Sequence, residues 1–283
     1  LSERVHSIGD HAFGDCSGLT SITIPGSVSS IGSSVFQNCT SLSSISIPEG
    51  VNSIGHYAFG DCNAMTNITL PDSVSSIGQY AFQSCSSLTS ITISNSMSSI
   101  GNGSFYDCTS LSSITIPNSV TSIESSAFQN CSGLTSITIP GSVTSIGSSA
   151  FRNCSGLTSI TIPDSVTSIG SSAFYDCTSL ASAQFDGNAP SIGTQVFENT
   201  QVSYTVVGVT NAASYGGDGA TYADLVVVDY SKIATSQYLY TQSEYDAVVA
   251  ERDAKLFIEE VQDLRAGSTM IEVENGQTNL SLE

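Results

Sequence analysis

The feature that most constrains this chain is a repeat unit of 23 residues, marked by a phenylalanine at the same place in each copy. The series is Phe13, Phe36, Phe59, Phe82, Phe105, Phe128, Phe151, Phe174 and Phe197. Self-similarity at a period of roughly 20 to 50 residues is typical of solenoids. Ordering one residue costs about 1–2 kcal/mol, and burying one apolar side chain returns about 1.5–3 kcal/mol. One unit cannot fold alone, so we predict about nine stacked coils over residues 1–208.

Each unit contains two short extended stretches. In the first, "LTSITIP", the alternation turns Ile22 and Ile24 inward. Ser21 and Thr23 then face solvent. Proline ends this strand because it cannot donate a hydrogen bond to a neighbour. The second stretch, "SVSSIG", is expected to bury its valine and isoleucine.

The complete unit reads L-x-x-I-x-I-P-x-x-V-x-x-I-G-x-x-A-F-x-x-C. It closely resembles the BspA-type leucine-rich repeat, whose pattern is AFxxCxxLxxIxIPxxVxxIG. The resemblance covers residues 1–208, with Ser94 replacing the turn proline, Glu124 the turn glycine and Thr200 the last cysteine. It implies an exported or surface-attached protein that binds host or matrix proteins, or mediates cell–cell contact, without catalysis.

The stretch "SSVFQNC" is too short for more than one helical or 3₁₀ turn. The predicted fold class is therefore an α/β repeat solenoid. It is a β-rich leucine-rich-repeat stack with short helical or 3₁₀ turns, followed by a small α+β C-terminal segment.

One cysteine follows each of the first eight phenylalanines. The series is Cys16, Cys39, Cys62, Cys85, Cys108, Cys131, Cys154 and Cys177. Zinc needs four ligands that converge in a tetrahedron, and a single column of thiols does not converge. Disulfides between neighbouring coils stay open as an alternative, although in-register side chains point in parallel. The interpretation favoured here is a column of buried thiols that act as small hydrophobes.

The composition excludes several functions. The net charge is -19, from 25 acidic and 6 basic residues, so nucleic acid is excluded as a partner. No apolar run approaches the roughly 20 residues of a membrane-spanning segment.

No motif for catalysis, phosphate binding or a metal site is present, and we predict no catalytic residue, metal or cofactor. The residue before most cysteines is Asp or Asn, which we expect to cap its own turn through backbone N–H groups. These residues are Asp15, Asn38, Asp61, Asp107, Asn130, Asn153 and Asp176.

Two columns of polar side chains on the first strands are candidate ligand-binding residues. One column is Ser21, Ser44, Asn67, Ser90, Ser113, Ser136 and Ser159; the other is Thr23, Ser46, Thr69, Thr92, Thr115, Thr138 and Thr161. Such a uniform face suits a periodic partner: a polysaccharide, a neighbouring copy or an ice lattice. Alternatively, these side chains only keep the sheet soluble.

A conventional protein contact needs varied and aromatic side chains. The candidates for one, expected to be exposed, are Tyr57, Tyr80, Tyr106 and Tyr175, with His56 and Arg152 near them.

The period ends near residue 209, and residues 209–283 form a second segment. "ADLVVVDY" predicts a strand, and "QSEYDAVVAERDAKLFIEEVQDLRAG" predicts an amphipathic helix. "TMIEVENGQTNLSLE" predicts a β-hairpin with an Asn-Gly turn. This segment would serve oligomerisation or anchoring, or it belongs to a truncated neighbouring domain.

The sequence thus predicts a non-enzymatic extracellular or cell-surface protein. Its repeat array would bind a host or matrix protein, a glycan or other copies of itself. The alternative is a structural spacer or filament subunit that assembles through its end coils and C-terminal segment.

Overall fold

The computed structural model describes residues 1–202, 204–207, 221–222, 225–229, 271–274 and 277–280. The chain forms a β-solenoid of about seven turns, where the sequence predicted about nine coils. The first strands of the units are β1 (Ser21–Thr23), β3 (Ser44–Ser46), β5 (Asn67–Thr69), β7 (Ser90–Thr92), β11 (Ser159–Ile162) and β13 (Ser182–Phe185). The second strands are β2 (Ser30–Ile31), β4 (Ser53–Ile54), β6 (Ser76–Ile77), β8 (Ser99–Ile100), β9 (Ser122–Ile123), β10 (Ser145–Ile146), β12 (Ser168–Ile169) and β14 (Ser191–Ile192).

Most of these strands pair in parallel with the equivalent strand of a neighbouring turn, but among the described strands no ladder joins β3 to β5 or β6 to β8. The register is one full repeat, as in Ser21 with Ser44 and Ser30 with Ser53. Between β7 and β11 the first-strand ladder narrows to single bridges at Thr115. Because equivalent residues stack directly, each position of the unit becomes a column along the solenoid.

The segment around each phenylalanine, called here the Phe segment (residues 33–39 in the second unit), is not helical. The predicted helical or 3₁₀ turn is not confirmed, since no helix occurs in the part of the chain that the structure describes. Ser34 and Asn38 instead adopt left-handed φ angles of 54° and 59°. The N–H groups of Ser34 and Phe36 thereby donate to the carbonyls of His56 and Ala58 in the next turn, at 2.7 and 2.8 Å. A helical turn would use such groups within the segment and leave the next turn unpaired.

The core is one continuous cluster of apolar side chains, stacked in columns inside the turns. Val28 is fully buried and Ile31 is 2% exposed, which confirms the predicted inward face of the second stretch. The phenylalanines stack along the solenoid, with ring centroids 5.4 Å apart for Phe36 and Phe59. This stacking buries each ring against the equivalent rings of its neighbours.

The first-strand sheet continues beyond the repeats. β15 (Tyr204–Val207) pairs in parallel with β13, and β17 (Leu225–Asp229) pairs in parallel with β15. β15 therefore extends the sheet rather than closing it, and β16 (Thr221–Tyr222) pairs antiparallel with β17. β18 (Ile271–Glu274) and β19 (Gln277–Leu280) form an antiparallel pair. The predicted amphipathic helix lies outside the described residues.

Candidate interaction surfaces

The two first-strand columns, called here the hydroxyl columns, are exposed along their whole length. All fourteen side chains named above for these columns lie at the surface, as the alternation predicts. Between them the strand turns isoleucines inward; Ile68 is 3% exposed and Ile91 6%. Parallel pairing sets the repeat within a column at about 4.8 Å. The structure therefore builds a regular polar face, and its binding role stays a prediction.

A further row of hydroxyl groups flanks the hydroxyl columns. Thr89 Oγ1 donates to the carbonyl of Thr66 at 3.0 Å, and Ser112 Oγ donates to the carbonyl of Thr89 at 3.4 Å. These hydroxyl groups satisfy backbone acceptors at the edge of the ladder. They link successive turns, whereas the side chains of the hydroxyl columns face solvent.

The four tyrosines are half-buried, whereas the sequence predicted that they are exposed. The rings of Tyr57 and Tyr80 stack at 5.2 Å between centroids and 9° between planes. Tyr106 packs edge-on against Tyr80 at 6.1 Å and 67°. These three residues are called here the tyrosine cluster. Tyr175 lies apart, under the guanidinium of Arg152 at 4.6 Å from its ring centroid.

Sequence reasoning missed Gly103 as part of the tyrosine cluster. Gly103 has a left-handed φ of 58°, and a Cβ at this position would clash with the ring of Tyr80. The Tyr80 ring can therefore occupy its position only because residue 103 has no side chain. The signal was available, because Gly103 stands in the column that holds Tyr57 and Tyr80 in the two preceding units.

Seven of the eight cysteines are buried free thiols, and Cys16 is exposed, which corrects the prediction for that residue. Each buried thiol donates to the carbonyl of the phenylalanine in the preceding unit, as Cys85 Sγ does to Phe59 at 3.1 Å. The same carbonyl accepts the backbone N–H of Cys62 at 3.3 Å. Burial raises the pKa of these thiols, that of Cys177 to about 12. The thiols therefore stay protonated at neutral pH and hold adjacent turns together.

The Asp and Asn residues before the cysteines bond between turns rather than to their own turn. Asn38 Nδ2 donates to Asp15 Oδ1 at 2.8 Å, and Asn130 Nδ2 donates to Asp107 Oδ1 at 2.6 Å. Their left-handed backbone explains the residue types, because Asn and Asp tolerate it. Burial raises the pKa of Asp61, and a hydrogen bond from Ser84 partly offsets that shift. The predicted capping of backbone groups is replaced by a ladder of side chains.

In the described part of the chain, no group of three or more His, Cys, Asp and Glu side chains is arranged to hold a metal ion. Nor does any helix in that part have the length and apolar character needed to cross a membrane.

A family model described as "BspA type Leucine rich repeat region" matches in six copies, over residues 6–132 and 98–214. A leucine-rich repeat protein from Bacteroides ovatus is 34% identical with a TM-score of 0.69; the match covers 81% of this chain and 59% of that one. The T. pallidum leucine rich repeat protein is also 34% identical, with a TM-score of 0.52 and coverage of 54% and 72%.

A leucine-rich repeat protein from Eubacterium ventriosum is 25% identical with a TM-score of 0.52, over 65% of this chain and 44% of that one. This chain thus spans less than two thirds of the Bacteroides ovatus and Eubacterium ventriosum proteins. No curated protein shows significant similarity to it. The family model covers more than half of the chain, and the chain belongs to the BspA-type leucine-rich-repeat family.

Proposed function

We propose that this chain is a non-enzymatic interaction scaffold, at the cell surface or outside the cell, that binds through its repeat array. The observation that carries the proposal is the pair of exposed hydroxyl columns, held in register by parallel pairing of β1 with β3 and of β5 with β7. A uniform row of hydroxyl groups at about 4.8 Å matches a ligand that itself repeats. The partner classes are a glycan, a host or matrix protein and another copy of the chain. The family resemblance supports the surface location.

The tyrosine cluster and the hydroxyl columns lie on different segments of the unit, the Phe segments and the first strands. A scaffold of stacked turns can therefore present two surfaces without any change in its backbone. This arrangement supports a binding function, because the side chains of the hydroxyl columns face solvent along the described strands.

A screen of the labelled full chain against immobilised matrix proteins and glycans tests this proposal. Saturable binding to at least one of them is the expected result. Absence of binding to every member, with the folded state verified by circular dichroism, would contradict the proposal.

A further inference from the structure

The tyrosine cluster is a place where the repeat departs from its own pattern. Tyr57 and Tyr80 occupy a left-handed position, with φ of 54° and 57°, where bulky residues are uncommon. The same backbone is formed without an aromatic six-membered ring in other units, by Ser34, Ser126, Ser149 and Ser172 and also by His11 and Gln195. The fold does not need aromatic rings here, so their side chains point to a separate role.

The hydroxyl groups of the tyrosine cluster are available for bonding. Within residues 1–202, no described residue hydrogen-bonds to the hydroxyl of Tyr57, Tyr80 or Tyr106. By contrast, the hydroxyl of Tyr175 accepts a hydrogen bond from Asn199 Nδ2 at 3.3 Å. Half-buried tyrosine rings with open hydroxyl groups suit the core of a protein contact.

Two carboxylates accompany the tyrosine cluster. Asp61 follows Tyr57 in the same Phe segment, and Asp107 is next to Tyr106 in the chain. Burial and the charge of Asp107 both raise the pKa of Asp61, so each acid lies within the field of the other. Between Arg4 and Arg152 the sequence contains neither lysine nor arginine. A cation from outside the repeats would therefore relieve an unbalanced negative charge.

The solenoid contains one example of a cation over a tyrosine ring. The guanidinium of Arg152 lies 4.6 Å from the ring centroid of Tyr175. Tyr175 immediately follows its phenylalanine, as Tyr106 follows Phe105, so both tyrosines have the same register. A tyrosine at this position thus accepts a guanidinium over its ring, a contact that arginine makes more often than lysine.

We propose that the tyrosine cluster, with Asp61 and Asp107, is a docking site for an arginine-bearing segment of a partner protein. The guanidinium stacks against the rings and pairs with the carboxylates, while the tyrosine hydroxyl groups bond to the backbone of the segment. The inference rests on the proposed function, since it treats the array as a scaffold, and it adds a second surface to the hydroxyl columns.

The test is fluorescence anisotropy of labelled nona-arginine titrated with the full chain at about 0.15 M salt. The variant Tyr57→Ser/Tyr80→Ser/Tyr106→Gln uses residues that the repeat itself places at these positions, as in Ser34 and Gln129. The expected result is saturable binding to the wild type and a dissociation constant about tenfold higher for the variant. Nona-lysine should bind less tightly than nona-arginine. Equal binding of nona-arginine by variant and wild type, with both folded by circular dichroism, would overturn the proposal.

A matched pair of charge variants separates the site from general acidity. Asp61→Asn/Asp107→Asn and Asp15→Asn/Asp176→Asn remove the same charge from the same column of the repeat. The first pair should weaken nona-arginine binding several-fold more than the second, and equal weakening would show attraction by bulk charge alone. Binding of chitohexaose instead of the peptide, lost in the triple tyrosine variant, would make the cluster a glycan site.

The two proposals can fail separately. A partner found in the array screen and bound equally by the triple tyrosine variant would support the scaffold function and place its contact elsewhere. Cluster-dependent peptide binding by a chain that captures no array member would support the arginine site alone.

Discussion

At the scale of single residues, the buried thiols make stability depend on alkaline pH. The folded pKa of Cys177 is about 12 against an ordinary value of 9.0, and the other buried thiols are raised in the same direction by burial. Below pH 9 both folded and unfolded states keep these protons, and the stabilisation is fully present. Above it the unfolded state ionises first, so the free energy of unfolding falls as pH rises towards the folded pKa.

Between pH 9 and its folded pKa, each deeply buried thiol should lower the free energy of unfolding by up to about 1.4 kcal/mol per pH unit, measured by urea unfolding under reducing conditions. The double variant Cys85→Ala/Cys108→Ala should lack the contribution of two thiols to this pH dependence. An unchanged slope in this variant would contradict the assignment.

The raised pKa of Asp61 gives a second prediction at this scale, because its ionisation changes the stability of the fold at acidic pH. Its pKa is raised by burial, so the folded state disfavours the ionised carboxylate, and stability is lost as pH rises through the folded pKa. Asp61→Asn should raise the melting temperature at pH 7 and have no effect at pH 3. The exposed Asp164→Asn serves as the control for net charge. A gain that persists at pH 3 would rule out the carboxylate as its cause.

The residue types of the core could be predicted from the sequence, and their hydrogen bonds could not. A cysteine beside a phenylalanine in every unit indicates a buried thiol column. Its acceptor, however, is a carbonyl 26 residues earlier, as for Cys62 and Phe36. The identity of that acceptor depends on the distance between successive turns and on the left-handed residues of the Phe segment. Neither can be read from a local sequence pattern.

At the scale of elements, close approach of successive turns leaves no room for a side chain at several glycines of one column, although Glu124 occupies that column in one unit. A Cβ on Gly147 would lie 2.5 Å from the backbone nitrogen of Ser125, whereas a Cβ on Gly141 would meet nothing within 4 Å. Gly147→Ala should lower the free energy of unfolding by about 1–3 kcal/mol. Gly141→Ala should be neutral or stabilising by up to about 1 kcal/mol. Chemical denaturation of both variants checks this, and equal stabilities would contradict the described stacking.

The strands were predictable at this scale, and the Phe segment was not. Alternation of apolar and polar residues marks the first strand, as Ile68 between Asn67 and Thr69 shows. The Phe segment carries no such alternation, and its length suits one helical turn. Its backbone instead alternates into the left-handed region, because hydrogen bonds to the next turn outweigh those within the segment.

At the scale of the whole molecule, the repeat predicts the solenoid but leaves the ligand open. The period determines which residues stack, and stacking decides burial, so the core follows from the sequence. Outward side chains are free of that constraint. The tyrosine cluster shows the difference: its residues were identified as candidates, but their mutual stacking and the place of Gly103 came only from the structure.

The alternative of a spacer or filament subunit makes its own prediction at this scale. Assembly through the ends would raise the mass in solution with concentration. Light scattering over a wide concentration range measures this directly. A constant mass would contradict the alternative, and growth would make another copy of the chain the partner of the array.

The measurement that tests the central claim most directly is binding of the full chain and two triple variants to the array of matrix proteins and glycans. Thr69→Lys/Thr92→Lys/Thr115→Lys places three bulky charges on one hydroxyl column. Thr121→Lys/Thr144→Lys/Thr167→Lys places the same charges at exposed positions before the second strands. The account predicts that the first variant loses the interaction and the second keeps it. Equal binding by both variants and the wild type would contradict the claim that the hydroxyl columns are the binding face.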